Sequence, residues 1–149
     1  MKRAIELSSK NIETGGGPFG AVIIKDGKII GEGWNKVTSK NDPTAHAEVE
    51  AIRDACKNLN SYNLTDAEIY TSCEPCPMCL SAIYWARLSK IYFANTKSDA
   101  AAIQFDDAFI YSEIPKAHAE RKIGMVQMMH SEALEVFKAW KISDKKMPY

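Results

Sequence analysis

The chain carries, at residues 71–87, the stretch TSCEPCPMCLSAIYWAR. The β-branched and aromatic residues that lead into it predict a buried strand. Pro75 and Pro77 then predict the start of a helix, because proline is favoured in the first helical turn. The order of strand, loop and helix therefore places Cys76 and Cys79 at a helix N-terminus, and the rest of the fold is built around this unit.

Periodicity and turn residues divide the rest of the chain into further elements. Asp26-Gly27, between two β-branched runs, predicts a tight hairpin turn. Strands are predicted at 21–25, 28–33, 68–72, 90–94 and 125–129, and a polar loop at 35–43. Helices are predicted at 1–13, from Pro43-Thr44 to about residue 59 with Thr44 as N-cap, and at 131–142, and residues 99–114 have helical spacing. In the helix at 131–142, Leu134, Phe137 and Trp140 are expected on the buried side. A hairpin followed by alternating helices and strands predicts an α/β fold with a mixed sheet between helices.

Composition narrows the class of protein. A chain of 149 residues fits a single domain, and 19 basic residues balance 19 acidic residues. A net charge of zero argues against a nucleic-acid partner, since such proteins carry an excess of Lys and Arg. No apolar run approaches the ~20 residues of a membrane span. The basic start of the chain has no apolar run behind it, so we do not expect it to be a signal peptide. We expect a cytoplasmic protein whose four cysteines are metal ligands or buried thiols.

Two short motifs place candidate metal ligands at two predicted helix starts: His46-Ala47-Glu48, and the pair Cys76 and Cys79. The positive end of a helix favours thiolate, the form of cysteine that binds zinc. Two thiolates and one imidazole leave the fourth tetrahedral position open for water, as in catalytic zinc sites. The pattern thus predicts zinc held by His46, Cys76 and Cys79. Glu48 is then free to act as the acid/base that takes a proton from the water.

Two features compete with this interpretation. Cys73 could join the histidine and the two later cysteines in a closed zinc site, which would be structural and would have no position for water. We favour Cys73 as a buried thiol at the end of a strand, since closure would leave Glu48 without a role. A second His-Ala-Glu triplet, at residues 118–120, lies in a charge-dense stretch that is typical of a solvated helix face or loop.

Together the motifs match the pattern H-x-E then P-C-x-x-C that is typical of zinc nucleobase deaminases. The stretch at residues 71–87 resembles the cytidine-deaminase-like superfamily, and within it the bacterial guanine deaminases. Further stretches share this resemblance: GGPFGAV at 16–22, NDPTAHAE at 41–48, FDDAFIY at 105–111 and the C-terminal Tyr149. The zinc motif points only to the superfamily, whereas the Phe-Asp-Asp stretch and the aromatic terminus indicate guanine.

The resemblance implies a three-layer α/β/α fold with a five-stranded mixed sheet. It implies that residues 1–149 form a single zinc-dependent deaminase domain, with one zinc ion per chain, and that the protein is a homodimer. It also implies hydrolysis of guanine, a small purine base, to xanthine and ammonia. The motifs do not separate guanine from guanosine or a triazine amine.

The resemblance also assigns substrate contacts. It places Asp107 in the site as a catalytic and substrate-binding acceptor for the N1–H and amino group of guanine, although helix capping or a solvated turn is the alternative for both Asp106 and Asp107. Asn35 resembles the amide that binds the base, with a donor and an acceptor to offer. The glycine loop, which begins with Gly15-Gly16-Gly17, lacks the Gly-Lys-Ser/Thr ending of a phosphate-binding loop. We therefore interpret it as a turn that brings Phe19 near the pocket. Tyr149 is expected to close the pocket of its own or a neighbouring subunit.

Two other functions remain open at this point. A tRNA adenosine deaminase shares the zinc motif, but we expect such a protein to have a basic rim. A structural zinc module that includes Cys73 predicts bound zinc without catalysis. The role of Glu74, beside the cysteines, is also open between orienting a zinc ligand and facing solvent.

Overall fold

The computed structural model describes residues 1–148, which form two compact units, residues 1–108 and the residues from Phe109 onward. The first unit contains α1 (Lys2–Glu13), β1 (Gly20–Lys25), β2 (Lys28–Trp34), α2 (Val37–Lys40), α3 (Ala47–Leu59), β3 (Glu68–Cys73), α4 (Pro77–Trp85), β4 (Lys90–Asn95) and α5 (Lys97–Ala102). At the boundary begins α6 (Ala108–Glu113), and the second unit continues with a 3-10 turn (His118–Glu120) and α7 (His130–Ile142).

The sheet of the first unit has the strand order β2-β1-β3-β4. Strand β1 pairs antiparallel with both β2 and β3, and β3 pairs parallel with β4. The predicted α/β fold with a mixed sheet is therefore confirmed. The hairpin turn is also confirmed, with positive φ at Asp26 and Gly27.

The expectation of five strands is wrong for the described residues, which form four. Residues 125–129, predicted as the fifth, form no strand. A strand needs a neighbour to satisfy its backbone N–H and C=O groups. Among the described residues of the second unit there is no strand that could supply such a neighbour, so β-prone side chains alone do not produce one there.

The sheet is covered by helices on both faces, because successive side chains of a strand point to opposite sides. Val22 faces α1, where it packs with Ala4 and Leu7. Ala21 and Ile23 face the other way, into the core formed with α3 and α4. The first unit thus has the α/β/α layers that were expected.

Helix α3 lies unusually close to β2, and two glycines make this possible. A Cβ at Gly33 would lie 2.2 Å from the carbonyl oxygen of Ala47, and one at Gly31 would lie 2.5 Å from that of Ala51. On the helix side, Ala47, Ala51 and Ala55 follow the four-residue spacing of one helix face and are fully buried. The close packing fixes the N-terminus of α3 beside the end of β2.

Some predicted boundaries are corrected. The polar loop at 35–43 contains the short helix α2, and α3 begins at Ala47 with His46 as its N-cap. Thr44 is therefore not the N-cap. Its N–H and hydroxyl both donate to a carboxylate oxygen of Asp42, at 2.8 and 2.6 Å, which holds residues 42–44 in a turn ahead of the helix.

The helical region predicted at 99–114 is two separate helices, α5 and α6. Helix α7 agrees with the predicted helix at 131–142, but its apolar side is not buried: Leu134, Phe137 and Trp140 are 38%, 74% and 50% exposed. Amphipathic spacing predicts a helix and the side that would be buried, but not whether a surface of the same chain covers that side. None of the described helices is long and apolar enough to cross a bilayer.

Candidate metal centre

Two helix N-termini meet at the predicted metal centre. His46 is the N-cap of α3 and Cys76 is the N-cap of α4, and both have extended backbone geometry. Pro77 occupies the first turn of α4, where its missing N–H breaks no helical hydrogen bond. Cys79 lies in the same turn and is fully buried. The ligands predicted from sequence are therefore brought together by the starts of two helices.

The donor atoms have the spacing that zinc requires. His46 Nδ1 lies 3.5 Å from the Sγ of Cys76 and 3.5 Å from the Sγ of Cys79. The three donor atoms lie within 4.8 Å of one another. Nitrogen and sulfur ligands at about 2.0 and 2.3 Å from a tetrahedral zinc lie about 3.5 Å apart, so the three side chains fit one zinc ion.

The pKa values of Cys76 and Cys79 are shifted in opposite directions because the two thiols interact with each other. A hydrogen bond from the Cys79 thiol lowers the pKa of Cys76 to about 4, and His46 contributes in the same direction. The same interaction with Cys76, together with burial and the carboxyl of Glu48, raises the pKa of Cys79. Interaction with Cys76 also raises the pKa of His46. The site thus concentrates negative charge where a cation is needed.

Glu48 lies on the first turn of α3, two residues after His46, and its side chain is buried. The Sγ of Cys79 lies 3.4 Å from Glu48 Oε2. Burial raises the pKa of this carboxyl. A carboxyl that is buried beside the donors but is not one of them has the position required of an acid/base.

Cys73, the candidate for a fourth zinc ligand, is not part of the donor group. Cys73, the last residue of β3, is buried and donates through Sγ to the carbonyl of Thr96 at 3.6 Å. Burial raises its pKa to about 11. Within residues 1–148 the only three-ligand group consists of His46, Cys76 and Cys79, without Cys73. The interpretation of Cys73 as a strand-end thiol is confirmed, and the closed site is not formed.

The second His-Ala-Glu triplet and Glu74 are not among these three donors. The second His-Ala-Glu triplet is an exposed 3-10 turn, as predicted. Glu74 Oε2 accepts from the backbone N–H of Lys97 at 3.0 Å, at the start of α5. Glu74 therefore supports the loop that follows β4.

Asp106 and Asp107, the two acidic residues of the Phe-Asp-Asp stretch, have different surroundings in the structure. Asp106 Oδ1 accepts from the backbone N–H of Ala108, the first residue of α6, at 2.8 Å, which forms a turn ahead of that helix. For Asp107, burial first and then the negative charge of Cys76 raise the pKa. The adjacent Phe105 meets Phe19 edge to face, with ring centroids 4.9 Å apart. The structure thus distinguishes Asp106, which accepts from a nearby backbone N–H, from Asp107, the residue that the resemblance places in the site.

Asn35, at the end of β2, is 8% exposed. Its N–H donates to the carbonyl of Phe19 at 3.1 Å, and its side-chain Oδ1 accepts from the N–H of Val37 at 3.2 Å. Asn35 and the glycine loop are therefore held together. Tyr149, the remaining predicted residue, lies outside the described residues.

An ion cluster that the sequence did not reveal supports the loop between β2 and α3. Glu50 is 5% exposed and accepts from three cations. The nitrogen to oxygen distances are 2.7 Å to Lys40, 2.8 Å to Arg53 and 3.2 Å to Lys36. Burial raises the pKa of Glu50, but the hydrogen bonds from these cations outweigh it and lower the pKa to about 2. The cluster ties the loop that precedes His46 to α3.

This cluster predicts an acid-sensitive part of the stability. Because the pKa of Glu50 falls from 4.5 to about 2 on folding, its contribution is fully present above pH 5 and is lost as the pH falls from 4.5 toward 2. We expect Glu50→Gln to reduce the free energy of unfolding by about 2 kcal/mol at pH 7 and by much less near pH 2.5. Urea unfolding of both proteins at several pH values measures this. A difference that does not change with pH would contradict the assignment.

The part of the chain that carries the metal centre is similar to a known protein family. Residues 1–95 match the family described as the cytidine and deoxycytidylate deaminase zinc-binding region. The chain therefore belongs to this family of zinc deaminases, in which the metal centre described above is the zinc site.

Particular relatives extend the match beyond the zinc region. The guanine deaminase of Bacillus subtilis (strain 168) is 55% identical over the whole of this chain and 96% of its own length. A crystal structure of guanine deaminase from Bacillus subtilis superposes with a TM-score of 0.96, at 56% identity over 99% of this chain and 95% of that one. The tRNA-specific adenosine deaminase of Haemophilus influenzae is 41% identical over 69% of this chain and 60% of its own. The similarity thus spans the whole chain for one relative and part of it for the other.

Proposed function

We propose that the protein is a zinc-dependent guanine deaminase, which hydrolyses guanine to xanthine and ammonia. The observation that carries this proposal is the match to the Bacillus subtilis guanine deaminase over the whole chain, including the segment of Asp106 and Asp107. The zinc site alone indicates only deamination, because the tRNA-specific relatives share its family. A net charge of zero agrees with a small neutral substrate.

The metal centre supplies the nucleophile. His46, Cys76 and Cys79 are the side chains that hold zinc. When bound, zinc lowers the pKa of water and so provides a nucleophile at neutral pH. The chain's own residues then have to move protons and orient the base.

Glu48 carries the proton transfers. It takes a proton from the attacking water and delivers it to the unprotonated ring nitrogen beside C2 of guanine. Glu48 then transfers the remaining proton of the added hydroxyl to the departing amino group as the bond between C2 and that nitrogen breaks, so that one water and one guanine give one xanthine and one ammonia. The burial that raises the pKa of Glu48 favours this role, since the carboxyl has to be protonated in mid-reaction.

The substrate contacts follow from the chemistry of guanine. Its N1–H and amino group are donors, and Asp107 is the acceptor proposed for them. Asn35 offers both a donor and an acceptor to the other edge of the base. Phe19, which follows the glycine loop, is proposed to contact the ring. Tyr149 is proposed to close the pocket, from its own or a neighbouring subunit.

The role of Asp107 can be tested against its neighbour. Asp107→Asn replaces an anionic acceptor by a neutral group that also donates, and a hydrogen bond to a charged group is worth about 1.5–3 kcal/mol. We expect KM for guanine to rise about 10- to 100-fold. Asp106→Asn is the matched control, because an asparagine oxygen still accepts from Ala108 N–H. Steady-state kinetics that show equal KM changes in both variants would argue against the assignment.

Assembly and location are part of the proposal. We infer that residues 1–149 act as one deaminase domain, that the protein is a homodimer in the cytoplasm, and that it binds neither nucleic acid nor membranes. Exposed aromatic side chains on α4, at Tyr84 (74%) and Trp85 (65%), support a protein interface. Sedimentation equilibrium gives the mass of the assembly directly.

A substrate panel tests the function. Ammonia release is measured with guanine, guanosine, a triazine amine, adenine and a tRNA anticodon stem-loop. The proposal predicts that guanine is turned over with the highest kcat/KM. Turnover of the tRNA alone would favour the adenosine deaminase alternative, and no turnover by the zinc-loaded protein would favour a structural module.

A further inference from the structure

Asn11 is a buried amide on α1 that joins three segments of the chain. It is 6% exposed. Its Nδ2 donates to the carbonyl of Gly17 at 2.8 Å and to the carbonyl of Asn35 at 2.8 Å. Its Oδ1 accepts from the hydroxyl of Thr14 at 3.5 Å. One side chain thus connects the first helix, the glycine loop and the end of β2.

The glycine loop is shaped around this amide. A Cβ at Gly16 would lie 2.4 Å from Nδ2 of Asn11, and one at Gly17 would lie 3.2 Å from Cγ of Asn35. The backbone N–H of Gly16 also donates to the carbonyl of Asn11 at 3.0 Å. Side chains larger than hydrogen would separate the loop from the amide, which explains why glycines occupy these positions.

Asn35 is held in place by hydrogen bonds to its backbone N–H, its side-chain oxygen and its backbone carbonyl. Its N–H is bound to the Phe19 carbonyl and its side-chain Oδ1 to the Val37 N–H, so the bond from Asn11 is what secures its own carbonyl. A buried carbonyl without a donor is unfavourable, because it has lost its hydrogen bond to water and gained none in the protein. Without Asn11, the segment would therefore move to find another partner.

We propose that Asn11 is a positioning residue for substrate binding, which acts by holding the main chain of Asn35 and the glycine loop in one arrangement. This inference rests on the proposed function only in that guanine is the ligand of Asn35. A small displacement of an orienting group is enough to weaken binding strongly. Asn11 therefore affects recognition of the base and leaves the proton transfers of Glu48 unchanged.

The variants are Asn11→Asp, which keeps the shape but replaces the donor by an oxygen, and Asn11→Ala, which removes the amide and leaves room for water. We expect each to raise KM for guanine about tenfold or more, while kcat changes less than threefold. Asn58→Asp is the matched control. Asn58 donates to the carbonyl of Ile30 at 3.0 Å, toward the other end of β2, so its loss should leave KM unchanged.

Two further measurements distinguish a positioning role of Asn11 from a general loss of folding stability. Leu7→Ala removes a buried side chain of the same helix, and should lower the melting temperature while leaving KM unchanged. In the Asn35→Ala background, substitution of Asn11 should raise KM by a smaller factor than it does in the wild-type protein, because part of its effect acts through Asn35. Additive effects in this double variant, or a KM increase in Leu7→Ala as large as in the Asn11 variants, would overturn the proposal.

Amide hydrogen exchange provides a readout that needs no substrate. The N–H of Val37, bound to Asn35 Oδ1, should exchange faster in the Asn11 variants and at the wild-type rate in Asn58→Asp. If the wild-type protein failed to turn over guanine, the proposed function would fall while this exchange result still decided the positioning role. Unchanged exchange at Val37 in both Asn11 variants would contradict that role.

Discussion

Replacing Glu48 by glutamine should lower kcat for guanine by roughly 10²- to 10⁴-fold, the range typical of a lost general acid/base. Glutamine keeps the size of the buried side chain but cannot take a proton from water. It leaves His46, Cys76 and Cys79 in place, so zinc content should stay at one ion per chain. Steady-state kinetics together with elemental analysis of the purified variant measure both quantities.

Glu74→Gln is the matched control for this experiment. Glu74 lies beside the cysteines, yet its carboxylate accepts from the N–H of Lys97, and a glutamine oxygen can do the same. Its kcat should stay within a few-fold of wild type. If Glu48→Gln were equally active, or if it lost zinc, Glu48 would not be the acid/base.

The second large effect is expected at the metal centre. Cys76→Ala removes one of three donors and should reduce bound zinc from one ion per chain to a small fraction, with loss of detectable turnover. The melting temperature should fall as well, because an ion that binds only the folded chain stabilises it. Zinc analysis and thermal unfolding of the same samples test both statements.

Cys73→Ala provides the contrast, since this thiol donates to Thr96 and is not part of the donor group. The variant should keep its zinc and at least a tenth of its activity. Loss of zinc from Cys73→Ala to the same degree as from Cys76→Ala would instead indicate a closed structural site.

The metal centre could be predicted from sequence because its geometry is local. His46 and Glu48 lie in one helical turn, and Cys76 and Cys79 lie in another, with Pro77 marking the helix start. What the sequence could not provide was the packing that brings the two turns together. This depends on Gly31 and Gly33, whose contact with α3 is visible only in three dimensions.

Long-range contacts account for most of what sequence reasoning missed. Asn11 and Glu50 carry no motif, and their partners lie on other elements of the fold. Asp106 and Asp107 have the same side chain, and only the structure shows that Asp106 accepts from the first backbone N–H of α6. The fifth strand at 125–129 was wrong because pairing requires a neighbouring strand, which a local pattern cannot supply.

The central claim is the conversion of guanine by this zinc centre, and ultraviolet spectroscopy follows it directly. The zinc-loaded protein is mixed with guanine, the spectrum is recorded over time, and ammonia is measured at the end point. The spectrum should change to that of xanthine, with one ammonia released per guanine consumed, and the change should be at least about a hundredfold slower with the Glu48→Gln protein. An unchanged guanine spectrum with the zinc-loaded wild-type protein would contradict it.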